Sequence, residues 1–144
     1  MGGRGVNPGL AEDAIADSRD ALAAALIAGT PPGAPWIVRE YAGAGAWTDL
    51  AALIGYGSPF LEPARDVRAP DAWRVRWGVL LVAGRFDVET SAAALDTMVG
   101  YGLAAVSGMP SWEPPTVGGT RMLEVSGGRY LTATLTASRV LFLC

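Results

Sequence analysis

Trp73, Val75, Trp77, Val79 and Leu81 occupy alternate positions of one run. Period-two alternation of large apolar side chains is the pattern of a strand with one buried face, so residues 73–83 predict a strand that must lie against a covering layer. Its other face begins polar, with Arg74 and Arg76, and turns apolar at Leu80 and Val82. Half of that second face needs a cover of its own, from a loop of the same chain or from a neighbouring subunit. The neighbour is the expectation.

Two helices can supply the main cover. Asn7-Pro8 suits an N-cap with proline at the first helical position, and Gly29-Thr30-Pro31-Pro32 is a stop, which gives a helix over 8–28. On a 3.6-residue period Ala11, Ile15, Leu22 and Leu26 form an apolar stripe, with Asp13, Asp17 and Asp20 opposite. Asp87 can cap a second helix over 88–107, with Val88, Ala92, Leu95, Val99, Gly102 and Val106 as its core stripe and Gly108-Met109-Pro110 as its end. Gly100 and Gly102 inside it each cost about 1 kcal/mol relative to alanine. Close packing of Gly102 on a sheet is the simpler explanation, a hinge the other.

Trp36–Tyr41 is rich in β-branched and aromatic residues and reads as a strand. Leu50–Tyr56 admits a short helix capped by Thr48-Asp49, but Gly55, Gly57 and Pro59 break it, and a buried strand is favoured. Ser58–Asp71 contains Pro59, Pro63 and Pro70 with Arg65, Asp66 and Arg68, and reads as a long, stiffened, charged loop of a kind that is often functional. After the Trp112-Glu113-Pro114-Pro115 loop, Thr120–Val125 and Arg129–Phe142 predict a hairpin across Ser126-Gly127-Gly128. In its last strand Leu131, Ala133, Leu135 and Ala137 alternate with Thr132, Thr134 and Thr136, giving a buried and a hydroxyl-lined face. The order α-β-β-β-α-β-β predicts one α+β domain over 1–144, with an antiparallel or mixed sheet of about five strands and both helices on one face. A chain of 144 residues is long enough for one such core.

The chemistry is bounded by what is missing. There is no histidine, every one of the 11 basic residues is arginine, and the single cysteine is the last residue, Cys144. That removes a Ser-His-Asp triad, a Cys-His dyad and any histidine-based metal site, and a lone thiol makes no internal disulfide. Gly43-Ala44-Gly45 begins a dinucleotide-loop spacing, but Thr48 stands where the third glycine belongs, so a flexible turn is the better reading. Ser58 lacks the glycines of a nucleophile elbow, since Tyr56 and Phe60 hold those positions. Asp87 with Glu89, or Asp66 with Glu62, offers paired carboxylates; helix capping for Asp87 and solvation for the loop acids are the ordinary explanations. No metal and no organic cofactor are expected, and the chain reads as a non-enzyme.

A composition that is 51% hydrophobic and only 17% charged, with net charge −3, leaves little to solubilise a large surface, which points to an oligomer. Arginines scattered from Arg4 to Arg139 without a cluster argue against sequence-specific nucleic-acid binding. Met1–Val6 lacks the apolar core of a signal peptide, Val6 does not fit a myristoylation signal, and Ala21–Ala28 is far shorter than the roughly 20 residues of a membrane span. A cytoplasmic place of assembly is expected, with no membrane partner. Trp73 and Trp77 belong to the core, whereas Trp36, Trp47 and Trp112 sit at element ends or in loops and read as interface anchors. The candidate interface residues are Arg65, Asp66, Arg68, Arg74, Arg76, Leu80, Val82 and Trp112.

The run Leu53-Ile54-Gly55-Tyr56-Gly57-Ser58-Pro59-Phe60-Leu61-Glu62, followed by Trp73-Arg74-Val75-Arg76-Trp77-Gly78-Val79-Leu80-Leu81-Val82, resembles the tail terminator proteins of long-tailed bacteriophages. Leu95-Asp96-Thr97-Met98-Val99 in the second helix and the closing Tyr130-Leu131-Thr132-Ala133-Thr134-Leu135 fit the same pattern, and the similarity spans most of the chain. The resemblance implies a virion protein that assembles with copies of itself into a hexameric ring at the head-tail junction. The ring caps the tail tube protein, stops tube growth and meets the head-tail connector, with genome DNA passing through it. It implies no catalytic residue. A head-tail neck adaptor is the alternative, and a small carboxylate-dependent enzyme or ligand-binding domain is the alternative of a different class.

Overall fold

Asn7 caps helix α1 (Pro8–Ala28): its side-chain oxygen accepts from the Leu10 N–H at 3.2 Å, and Pro8 opens the first turn. The Gly29 N–H closes the helix on the Ala25 carbonyl at 2.9 Å. The structure is a computed structural model and describes residues 6–33, 35–40, 50–83, 88–125 and 128–143. After α1 come β1 (Ile37–Arg39), β2 (Ala51–Pro63), β3 (Ala72–Val82), α2 (Val88–Ser107), β4 (Thr116–Val117), β5 (Arg121–Val125) and β6 (Gly128–Phe142). This is an α+β domain whose sheet runs β1-β2-β3-β6-β4, with β5 also paired to β6. Only β1 is parallel to its neighbour, so the sheet is mixed.

Both helices cover one face. Val75, Trp77, Val79 and Leu81 of β3 join Ala52 and Ile54 of β2 and Ala133, Leu135 and Ala137 of β6 beneath Leu22 and Leu26 of α1 and Leu95, Met98 and Val106 of α2. The alternation expected in β3 and β6 is therefore the core. Gly102 lies on the sheet: a Cβ there would stand 3.3 Å from Leu135 Cδ1, which is the close packing anticipated, while Gly100 faces open space. The stripe of α2 is rotated from expectation. Ser91, Leu95, Met98, Gly102 and Val106 are buried, whereas Ala92 is exposed, because the smallest side chains can face water at little cost.

Four expectations are corrected. The loop foreseen from Ser58 begins only after Pro63, since β2 continues through a bulge between Tyr56 and Leu61. Gly57 permits that bulge, because a Cβ there would meet Arg76 Cβ at 2.7 Å and the Arg76 carbonyl oxygen at 2.8 Å; the proline and glycines that signal a turn here serve an irregular strand. The Trp112–Pro115 loop is followed by the short strand β4, hidden by the two prolines before it. Of the strand foreseen over Trp36–Tyr41, Ile37–Arg39 form β1, Tyr41 lies outside the described residues, and Trp36 is 6% exposed, a core residue whose Nε1–H donates to the Leu26 carbonyl at 2.9 Å. Val82 needs no neighbouring subunit: it is fully buried by its own chain with Ala51, Leu53 and Tyr130, and partly exposed Leu80 packs against them.

Gly43-Ala44-Gly45, Trp47, Thr48-Asp49, the Asp87 cap and Cys144 lie outside the described residues. No helix among the described residues is long and apolar enough to cross a membrane.

Val79→Asp places a carboxylate between Ile54 and Leu135 and is expected to unfold the domain, whereas Leu80→Asp, at a half-exposed position, should leave a folded monomer of lower urea midpoint. Circular dichroism with denaturant titration separates them; equal unfolding would contradict the assignment of faces. Trp77→Ala should cost about 3–5 kcal/mol by the same measurement.

Candidate interaction surface

The face of the sheet turned away from the helices is read row by row from the strand register. Ala51, Val82 and Thr132 form one row, Leu53, Leu80 and Thr134 the next, then Gly55, Gly78 and Thr136, and finally Glu62, Arg74 and Val140. The even-numbered candidates of β3, Arg74, Arg76, Leu80 and Val82, thus share this face. One end is apolar, the glycine row is flat, and the far end is charged.

The charged end is neutralised within the chain. Arg74 holds two carboxylates with one guanidinium: Nε and Nη2 donate to Glu113 at 2.7 and 2.9 Å, and Nη1 and Nη2 donate to Asp66 at 3.0 and 2.9 Å. Such bidentate pairing ties the loop after β2 and the segment after α2 to the middle strand. Both carboxylates hold Arg74 above its ordinary pKa, and the hydrogen bond from Arg74 holds Asp66 below the usual carboxylate value. Arg76 pairs with Glu62 at 2.6 Å. Three of the charged candidates, Arg74, Asp66 and Arg76, therefore serve the fold itself.

Arg65 and Arg68 differ. Both are exposed on the loop after β2, and none of the ion pairs among the described residues involves them. Trp112 is half-buried at a bridge to Arg139, whose guanidinium lies 5.7 Å from its ring centre. The structure thus separates the eight candidates into two exposed cations, an internal ion network, an apolar pair of which only Leu80 reaches the surface, and a tryptophan on the helix side.

Of the two carboxylate pairs considered for acid-base chemistry, one faces arginines and Asp87 of the other lies outside the described residues. Asp66 and Glu62, the loop acids considered as a carboxylate pair, each face an arginine, and Ser58 sits in the bulge strand. No group of three or more His, Cys, Asp or Glu side chains among the described residues is placed to hold a metal ion. The carboxyl pair that does form is Asp20 with Glu40, where burial first and then the neighbouring Asp20 raise the Glu40 pKa. Sequence spacing could not reveal it, because the two acids come from α1 and the end of β1. Arg19 was also missed, although it occupies the gap in the stripe Ala11, Ile15, Leu22, Leu26; it is 9% exposed, with its guanidinium 4.7 Å from the Trp77 ring centre.

No protein-family model matches this sequence, and no curated protein matches it.

Because Asp66 has a folded pKa below its unfolded value near 3.8, its contact with Arg74 stabilises fully above that value and is lost as pH falls through the lower folded one. Arg74→Met should therefore lower the urea midpoint at pH 7, with the difference from wild type shrinking from pH 4 towards pH 2. A pH-independent difference would show that packing of the Arg74 stem, and not its charge, is what stabilises.

Proposed function

We propose that this chain is a structural subunit that closes into a ring, similar to the tail terminator proteins of long-tailed bacteriophages. In this reading a hexamer caps the tail tube, ends its growth and presents its other side to the head-tail connector in the assembled virion. The role is one of contact and not of catalysis.

One observation carries the reading: both helices lie on the same side of the sheet, which leaves the opposite face, from Leu80 across the glycine row, to meet another protein, while Ala51, Leu53 and Val82 beyond Leu80 are already buried within the chain. A flat row of glycines beside Leu80 lets another protein lie close to the sheet, and the ions at the charged end are already paired within the chain. Arg65 and Arg68 add two exposed cations with no ion pair among the described residues to an acidic chain of net charge −3, which favours attraction between copies.

Light scattering and negative-stain imaging of the purified protein, alone and mixed with tail tubes, test this. Rings of about six copies are expected, as closed symmetry suits a homo-oligomer. The double variant Arg65→Glu with Arg68→Glu should lose assembly while its monomer melts within a few degrees of wild type. Unimpaired assembly removes these arginines from the interface. A chain that stays monomeric at high concentration and ignores tail tubes removes the ring reading altogether and favours the neck adaptor or a small carboxylate-dependent enzyme.

A further inference from the structure

On the helix side, a groove of about 600 Å³ runs between α1 and the C-terminal end of α2. Ala21, Ala25 and Gly29 line it from α1 and its cap, and Ala105 and Met109 face them, with Arg139 completing the lining. The two helices come so close at one point that a Cβ on Gly29 would stand 2.7 Å from Ala105 Cβ. The small side chains around that crossing leave room that a larger one can fill.

Arg139 is the polar member of this lining. It lies opposite Val75 in the strand register and therefore on the helix-covered face. Its Nε is buried and has no hydrogen-bond partner, and no ion pair among the described residues involves it. The guanidinium lies beside the Trp112 ring, 5.7 Å from the centroid. Arg139 as a whole is only half-buried, it has no ion pair among the described residues, and a carboxylate is the group whose geometry matches the guanidinium fork.

We infer that this groove binds an extended segment of a partner protein in which a large apolar side chain stands next to a carboxylate. The carboxylate pairs with Arg139, and the apolar side chain fills the space above Ala21, Ala25 and Ala105. A peptide, and not an enclosed small ligand, fits because the groove is open to solvent, so that a chain can lie across it and continue. Charge and shape select the occupant together: a neutral apolar segment leaves Arg139 unpaired, and an acidic segment without a large side chain leaves the trough empty. The inference concerns the face opposite the proposed ring surface and does not rest on the ring.

The test selects from a displayed random heptapeptide library against the whole chain, then titrates the enriched peptides by fluorescence anisotropy. Enrichment of Leu, Ile or Phe beside Asp or Glu is expected. Arg139→Gln should weaken the selected peptides about tenfold or more, as loss of a charge-assisted hydrogen bond does, with Arg139→Lys in between. Ala25→Trp, a half-exposed position that fills the groove, should abolish binding; it decides alone if Arg139→Gln proves unfolded by circular dichroism. Arg65→Glu with Arg68→Glu should leave peptide binding unchanged, which keeps this site distinct from ring assembly. A library without apolar-acidic enrichment, or peptides indifferent to Ala25→Trp, overturns the proposal. So does Arg139-dependent binding of sodium decanoate with no peptide bound, which would assign the groove to a free amphiphile.

Discussion

The indole of Trp77 determines how α1 lies on the sheet. The ring is 1% exposed, and its Nε1–H donates to Ser18 Oγ at 3.1 Å, which in turn donates to the Ile15 carbonyl at 2.7 Å. A buried indole N–H without an acceptor costs about 1–3 kcal/mol, so the rotation of the helix answers to this bond as well as to its apolar stripe. With Ser18 turned inward, Arg19 follows. Its guanidinium then stacks near Trp77 and comes within 3.4 Å of the Tyr56 hydroxyl. Phe60 reaches the same ring from the bulge of β2, at 5.0 Å between centroids. Trp36 repeats the device one turn from the helix end, through its bond to Leu26. Two indoles from two strand segments thus fix the axial and rotational position of one helix.

That dependence explains which parts of the fold were legible in the sequence. Helix α1 was readable to the residue because caps are local: Asn7, Pro8 and Gly29 act within a few positions of where they stand. Strand β3 was readable because one of its faces is buried from Val75 to Leu81, which forces a period of two. The bulge was not. Pro59, Gly55 and Gly57 carry the same local signals whether the chain turns or merely kinks, and only pairing with β3, which is non-local, decides between them. The brief strand β4 was hidden for the same reason, since its pairing to Thr136 and Leu135 is made by residues far along the chain.

The surface was legible in part. Alternation put Arg74, Arg76, Leu80 and Val82 on one face correctly, because facing follows from period alone. What each meets there did not follow. Glu113 lies 39 positions from Arg74, and no spacing rule links them. A chain with few charges has spent several of them on its own loops, so that a count of arginines overstates what remains for a partner. The carboxyl pair of Asp20 and Glu40 and the buried Nε of Arg139 were likewise beyond reach, as each depends on which helix lies over which strand.

The outer side of β6 is lined by two short strands laid end to end, β4 and then β5, with Gly118-Gly119-Thr120 between them. At the opposite border of the described sheet β1 pairs only with Ala51, Ala52 and Leu53 of β2, and the rest of the outer edge of β2 is interrupted by the bulge between Tyr56 and Leu61 and by Pro59, which has no N–H. Neither border offers the long, unbroken row of free N–H and C=O groups onto which a further strand can zip. Copies of this chain are thereby discouraged from joining edge to edge into an open-ended sheet, the association that leads to fibres. Growth of an assembly is left to side-chain complementarity between faces and loops, which can specify an angle between neighbours and so allow the assembly to close.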